Sequence, residues 1–479
     1  MKFSRGHLRA RLKSHLWVGR DRWARRELPE ASAGQTARPA VAPYLFRRPF
    51  GFGRVCCGFV ALGLTLVSGM GAAPKSMGPP RFVITDFGAV ADGQTLNSAA
   101  IQRTIDAAAA VGGGVVVVPA GTFRSGSIFL RSGAALWLDA GAVLLGSDRI
   151  EDYPKRETRI EGHFEPWRMA LVNAQQMERV RIGGQGRLDG NGVPFWEAFW
   201  QRRKENPKCT NLEVERPRLV FIDRCRDVRI EGLALQDSGF WNLHVYRSRD
   251  VVIEGVRITL PSATAKKIRG PSTDGMDIDS CQGVTIRRCF ISCDDDDIAL
   301  KGSKGPLADR DTDSPPVENI LVEDCEIGDG NGLITCGSEA TTVRNVTVRH
   351  CTISGRATLL TLKLRPDTPQ HYEHIAFDDI TLTGGAGGGR ILNVAPWTQF
   401  FDLKGQPPPS RTVNDITIRN VHGTFRTLGT LRGNPGDTIR DVMLENFDLK
   451  LADEKFIPGP VENLVVKNVV INGRPYRLP

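Results

Sequence analysis

Between Gly270 and Lys301 the chain concentrates side chains suited to acid–base chemistry. One stretch reads Pro271-Ser272-Thr273-Asp274-Gly275-Met276-Asp277-Ile278-Asp279, and a second reads Cys293-Asp294-Asp295-Asp296-Asp297-Ile298-Ala299-Leu300-Lys301. Seven carboxylates fall within the 24 positions 274–297. Like charges at this density repel, and solvation alone gives no reason to set them where apolar strands begin. A carboxylate pair suits glycoside hydrolysis, in which one protonated acid serves the leaving oxygen and one carboxylate activates water. Crowding raises one pKa and so keeps an acid protonated near neutral pH. The competing readings are a solvated acidic face and a calcium site. The spaced Asp-x-Asn-x-Asp pattern of a dedicated calcium loop is absent, and neither metal nor cofactor is expected.

Asp274 and Asp295 are 21 residues apart. They meet only if about that length of chain makes one lap of a parallel solenoid, which sets them on rungs roughly 5 Å apart. Strict alternation is an obstacle. Ile298 and Leu300 should point inward, which puts Asp296 on their side and Asp295 with Asp297 on the other. Asp296 reaches a cleft only if the chain bends just before Ile298.

The elements that must position these groups are short apolar triplets. They start at Val228, Val251, Val284, Ile320, Val346, Ile375, Ile416, Val442 and Leu464, at intervals between 22 and 41 residues. An irregular interval with a floor suits coils that share one core and carry variable loops on one side. Asn or Asp often precedes a triplet (Asp227, Asp250, Asn319, Asn345, Asp415, Asn463), where a turn residue starts each rung. The expected fold is all-β, a single right-handed parallel β-helix. An antiparallel sandwich is the alternative, but its short hairpin turns are sparse. Residues 81–147 read as an N-terminal cap with a strand at Phe82–Ile84, a helix over Ser98–Val111 and a strand at Val115–Val118. Gly112-Gly113-Gly114 follows the helix instead of opening one, so it is a turn and not a phosphate loop.

The net charge of +9 is misleading. Residues 1–73 carry 13 Lys+Arg against Asp21, Glu27 and Glu30, or +10, which leaves 50 basic and 51 acidic residues in the remainder. A near-neutral body gives no nucleic-acid footprint. Residues 1–73 read as an export leader: Arg47, Arg48 and Arg54 precede the apolar run Val55–Val67, and Gly71-Ala72-Ala73 offers a cleavage site. The run is short for a membrane span. A secreted or periplasmic monomer of one domain, 80–479, is expected, with no membrane partner once the leader is removed. Eight cysteines lie outside the leader, and their spacings match no zinc pattern; both disulfides and buried thiols fit them.

Several motifs together resemble glycoside hydrolase family 28, the polygalacturonase family, over about residues 80–479. Asp86-Phe87-Gly88-Ala89 and Gly184-Gln185-Gly186…Asp189-Gly190-Asn191-Gly192 look like its N-terminal coils. Thr273-Asp274-Gly275 matches its Asn-Thr-Asp-Gly motif with Ser272 for Asn. Asp295-Asp296 with Ala299-x-Lys301 matches its Gly-Asp-Asp motif with Asp294 for Gly. The resemblance implies an inverting hydrolase of pectic polysaccharide, with Asp295 as general acid and Asp274 and Asp296 holding the water. Two positions depart from the family. Its Gly-His-Gly falls on Gly330-Asn331-Gly332, and its Arg-Ile-Lys falls on Thr361-Leu362-Lys363. Asn331 and Lys363 are therefore expected substrate contacts, His244 in Trp241-Asn242-Leu243-His244 resembles a further cleft position of bacterial members, and Arg365 is a candidate replacement for the lost arginine as a bidentate carboxylate clamp. Trp397 could stack on a sugar, and Lys266, Lys267 and Arg269 could attract an acidic polymer.

The departures widen the substrate to rhamnogalacturonan and the mode to exo action. A β-helix lyase and a non-catalytic glycan-binding solenoid are the other readings.

Overall fold

The structure, a computed structural model, describes residues 78–478. The leader assigned to residues 1–73 lies outside them. The described chain winds as a right-handed parallel β-helix, and its coils join 31 strands in one system of ladders.

The nine triplets stack on one face in a single register. Val228 pairs with Val251, then Val284, Ile320, Val346, Ile375, Ile416, Val442 and Leu464 in turn. No coil can bury its β-branched face alone, whereas stacked coils bury it continuously. The residue before each triplet turns the corner in the left-handed conformation, with φ near 51° at Asp227, 55° at Asp250, 60° at Asn319, 57° at Asn345, 52° at Asp415 and 58° at Asn463. Short polar side chains tolerate that region, which explains the recurring Asn and Asp.

The cap agrees with the sequence in kind. Its helix spans Ser98–Ala110 and buries Ala100, Ile101, Thr104, Ile105 and Ala108. Three elements were not foreseen. A helix over Val193–Glu205 follows the Gly190-Asn191-Gly192 turn, a short one covers Pro261–Lys266, and Lys155–Ile160 with His163–Arg168 forms an antiparallel hairpin. All three are inserted between coils, where solenoid periodicity carries no signal. The eight cysteines of the described residues are buried and unbonded. Cys289, Cys325 and Cys351 occupy equivalent positions on consecutive coils. No helix among the described residues is long and apolar enough to cross a membrane.

A second face carries the strands Leu243–Tyr246, Met276–Asp279, Ile298–Lys301, Ile334–Cys336, Leu360–Leu364 and Arg390–Pro396, each parallel to the next. It forms the floor of a cleft of 740 Å³.

Candidate active site

Gly275 and Met276 donate their backbone N–H groups to the carbonyls of Asp296 and Asp297, which places Asp274 beside Asp296, one rung away. Asp295 reaches the same point from the next corner, because the chain bends at Asp294 and Asp295 and again at Asp297. The bend required before Ile298 is thus present. Carboxylate oxygens of Asp274, Asp295 and Asp296 lie within 4.8 Å of one another. The rung partner of Asp274 is Asp296, where the 21-residue spacing had suggested Asp295. Asp297, expected to share a side with Asp295, turns away instead. It is buried against Gly330 and Cys293, and burial pushes its carboxyl well up.

The three carboxylates have different partners. Asp296 is 1% exposed; it accepts from Lys363 Nζ at 2.6 Å and from Thr335 Oγ1 at 3.2 Å. Asp274 is 3% exposed and stands 3.4 Å from Lys301 Nζ. Asp295 is half-buried and accepts only from the neutral amide of Asn331, at 2.9 Å. Burial, with Asp295 and Asp296 adding to it and Lys301 opposing it, pushes the Asp274 carboxyl up to about 7. Burial and the neighbouring Asp296 also raise Asp295. The groups titrate together and share protons. Asp295, with no cation at ion-pair distance among the described residues and the most open position, can best present a proton to a ligand. Asp296 is clamped by Lys363.

Lys301 had no assigned role in the sequence. Its ammonium lies within 3.4–3.8 Å of Asp274, Asp277 and Glu339, and 5.0 Å from the Trp241 ring centroid. Burial alone would lower it, but these carboxylates hold it well above the usual lysine range. It therefore holds together a buried acidic cluster at the floor of the cleft.

Two expected contacts are corrected. His244 is 0% exposed and does not line the cleft. It stacks on Phe221, meets Trp241 edge-on, and accepts at Nδ1 from the Arg218 guanidinium at 2.8 Å. Burial lowers it to about 4, with the nearby Arg218 acting in the same sense against Asp279, so it sits neutral behind the tryptophan. Arg365 reaches the cleft wall, but its guanidinium is spent on Asp367 at 2.9 and 2.8 Å and on the Phe400 carbonyl at 2.8 Å. It fixes the loop that carries Trp397 and is not free to clamp a ligand carboxylate. Trp397 is half-buried, lines the cleft and lies 4.9 Å from Lys363 Nζ. Arg269 lines the cleft and donates to the Asp294 carbonyl, whereas Lys266 and Lys267 do not face it.

Insertions that sequence periodicity could not reveal line part of the cleft. Glu161, at the hairpin tip, accepts from Asn211 at 3.0 Å. Arg216 donates to the Asn211 carbonyl at 3.1 Å and also to the Pro271 carbonyl, three residues before Asp274. The 206–216 segment is thus tied both to the hairpin tip and to the chain just before Asp274. Arg216 is buried between Phe199 and Phe240, 4.5 Å from each ring centroid.

Comparison with known proteins agrees with this geometry. Residues 117–459 match the family described as Glycosyl hydrolases family 28. Residues 82–143 match Rhamnogalacturonase A/epimerase, pectate lyase-like. An exo-poly-alpha-D-galacturonosidase of Dickeya chrysanthemi is 39% identical over 83% of this chain and 75% of its own. A probable polygalacturonase of Vitis vinifera is 32% identical over 46% of this chain, and the match spans only 43% of that relative. A hyperthermoactive exopolygalacturonase of Thermotoga maritima shares the fold, with a TM-score of 0.66 and 24% identity over 81% of this chain and 92% of that one.

Proposed function

Because the chain belongs to glycosyl hydrolase family 28, we propose that this hydrolase removes sugars from one end of a galacturonate-containing, pectic polysaccharide, with inversion at the anomeric carbon. The observation that carries the reading is the convergence of three carboxylates within 4.8 Å at the floor of a cleft. In this reading Asp295 protonates the glycosidic oxygen, and Asp274 and Asp296 hold and activate water. Two hydrogen bonds of about 2.7 Å to one bridging water span roughly that separation. Two carboxylates that both polarise one water, with a third free to donate, fit a single displacement better than a covalent intermediate.

Exo action is supported by the insertions that gather beside Asp274. The Glu161–Asn211–Arg216–Pro271 contacts tie the inserted hairpin and the 206–216 segment to the chain just before Asp274, and in this reading they stop the polymer on that side. The name of the Dickeya relative points the same way. Asn331 and Lys363 act in this reading by holding Asp295 and Asp296 through hydrogen bonds, and Lys363 with Trp397 borders the bound sugar.

Product analysis on polygalacturonate, its oligomers and rhamnogalacturonan tests the proposal. Release of a single small product from the start, with slow loss of viscosity, is expected on polygalacturonate. Early appearance of a ladder of oligomers would overturn exo action. Ultraviolet-absorbing unsaturated products would mean a lyase, and binding without new reducing ends would mean a non-catalytic solenoid. The leader reading implies that exported protein begins after Ala73, which mass spectrometry of the mature chain tests; an intact N-terminus on exported protein would refute it.

A further inference from the structure

The ladder that joins Asp274 to Asp296 continues beyond them. Asp297 donates its backbone N–H to the Gly332 carbonyl, Leu333 to Thr358, and Leu359 to Arg390. The column on the cleft floor therefore runs Asp274, Asp296, Gly332, Thr358, Arg390, and Arg390 then pairs with Thr427. Two small residues separate the aspartates from the arginine. Three strand spacings of about 4.8 Å place Arg390 about 14 Å past Asp296, on the side away from Asp274.

The cations of this cleft differ in what they already hold. Lys363 pairs with Asp296, Lys301 with Asp274, Arg365 with Asp367 and Arg356 with Asp329. Arg390 instead donates to a neutral partner, Asn393 Oδ1, at 2.8 Å. Asn393 is the rung neighbour of Thr361, the position that lacks the arginine the family motif would supply. Arg426 lines the same cleft from the following coil, exposed and with no ion pair among the described residues. Its rung neighbour is Gly389, which has no side chain to block it. A guanidinium held in place by an amide and left without a counter-ion is arranged for a planar, bidentate anion.

We infer that Arg390, aided by Arg426, binds a uronate carboxylate of the polymer beyond the sugar at the scissile bond, so that the carboxylate clamp missing at Thr361 has moved one coil along. This rests on the proposed galacturonan substrate. Gly332 and Thr358 leave the space over which the intervening sugar lies, and Asn393 sets the direction of the Arg390 fork.

The test is calorimetric binding of tetragalacturonate to the Asp295→Asn protein, with and without Arg390→Gln and Arg426→Gln. Arg390→Gln is expected to weaken binding at least tenfold, Arg426→Gln less, and the loss should shrink at high salt. Fully methyl-esterified tetragalacturonate should bind the variants and their parent alike. In the active protein Arg390→Gln should raise KM for the tetramer with kcat little changed, and should spare the dimer. Unchanged affinity, or equal losses for free and esterified ligand, would overturn the inference and leave the hydrolase reading standing. Failure of the parent protein to bind or cleave any galacturonate would instead remove the substrate on which both depend. Thermal unfolding of each variant separates lost recognition from lost fold.

Discussion

The side-chain amide of Asn331 donates to Asp295 Oδ1 across 2.9 Å, from the coil that follows the aspartate. The amide cannot carry a proton, so its effect on Asp295 is confined to favouring the charged form. Removing it in Asn331→Ala should cost about 1 kcal/mol, or roughly fivefold in rate, and should raise the Asp295 pKa. Asp295→Asn should lose about 10²–10⁴-fold in kcat while unfolding at the temperature of the parent. Initial rates and thermal melts check both. Full activity in Asp295→Asn would remove it as the acid.

Lys363 and Asp296 form a buried pair at 2.6 Å. In Lys363→Met a carboxylate that is 1% exposed loses its cation. The expected cost is about 3–5 kcal/mol in urea unfolding, together with a large fall in kcat, and Lys363→Arg should recover part of both. If Lys363→Met were as stable and active as the parent, the pair would have no part in holding Asp296 in the site.

The coupled carboxylates set a pH limit. Asp274 is pushed up to about 7 by burial, with its two neighbours adding and Lys301 opposing. The Asp274 carboxylate that activates water is protonated below that pH and charged above it, so kcat/KM should rise as pH climbs towards neutrality. Lys301→Met removes the opposing cation and should carry this acid limb to higher pH. A profile that stays flat through neutrality in the parent would contradict a part for the Asp274 carboxylate in activating water.

Stereochemistry is decided by the three-carboxylate arrangement. Proton NMR of the first-formed product should show the anomer opposite to that of the substrate. Most inverting enzymes keep their two carboxyl groups farther apart, about 6.5–9.5 Å, and shorter spacing is usual in retaining enzymes. Here the close contact includes a third group, and the water is expected between Asp274 and Asp296. A retained anomer would make one of these carboxylates a nucleophile.

What the sequence by itself determined follows from local and repeated patterns. The β-branched triplets and the Asn or Asp before each of them specified the coil, because every rung must bury the same face and turn the same corner. The dense aspartates at rung starts announced a site, since charge repulsion has to be offset by function. Only the tertiary structure decided which groups share it. The bends at Asp295 and Asp297 override alternation, so Asp295 and Asp296 meet while Asp297 is buried elsewhere. His244 sits behind Trp241, Arg365 is taken by Asp367, and Arg390 joins the aspartate column from 94 residues beyond Asp296. Loop lengths between coils are irregular, so register across them, and with it every side-to-side contact, is fixed by stacking and not by spacing in the chain.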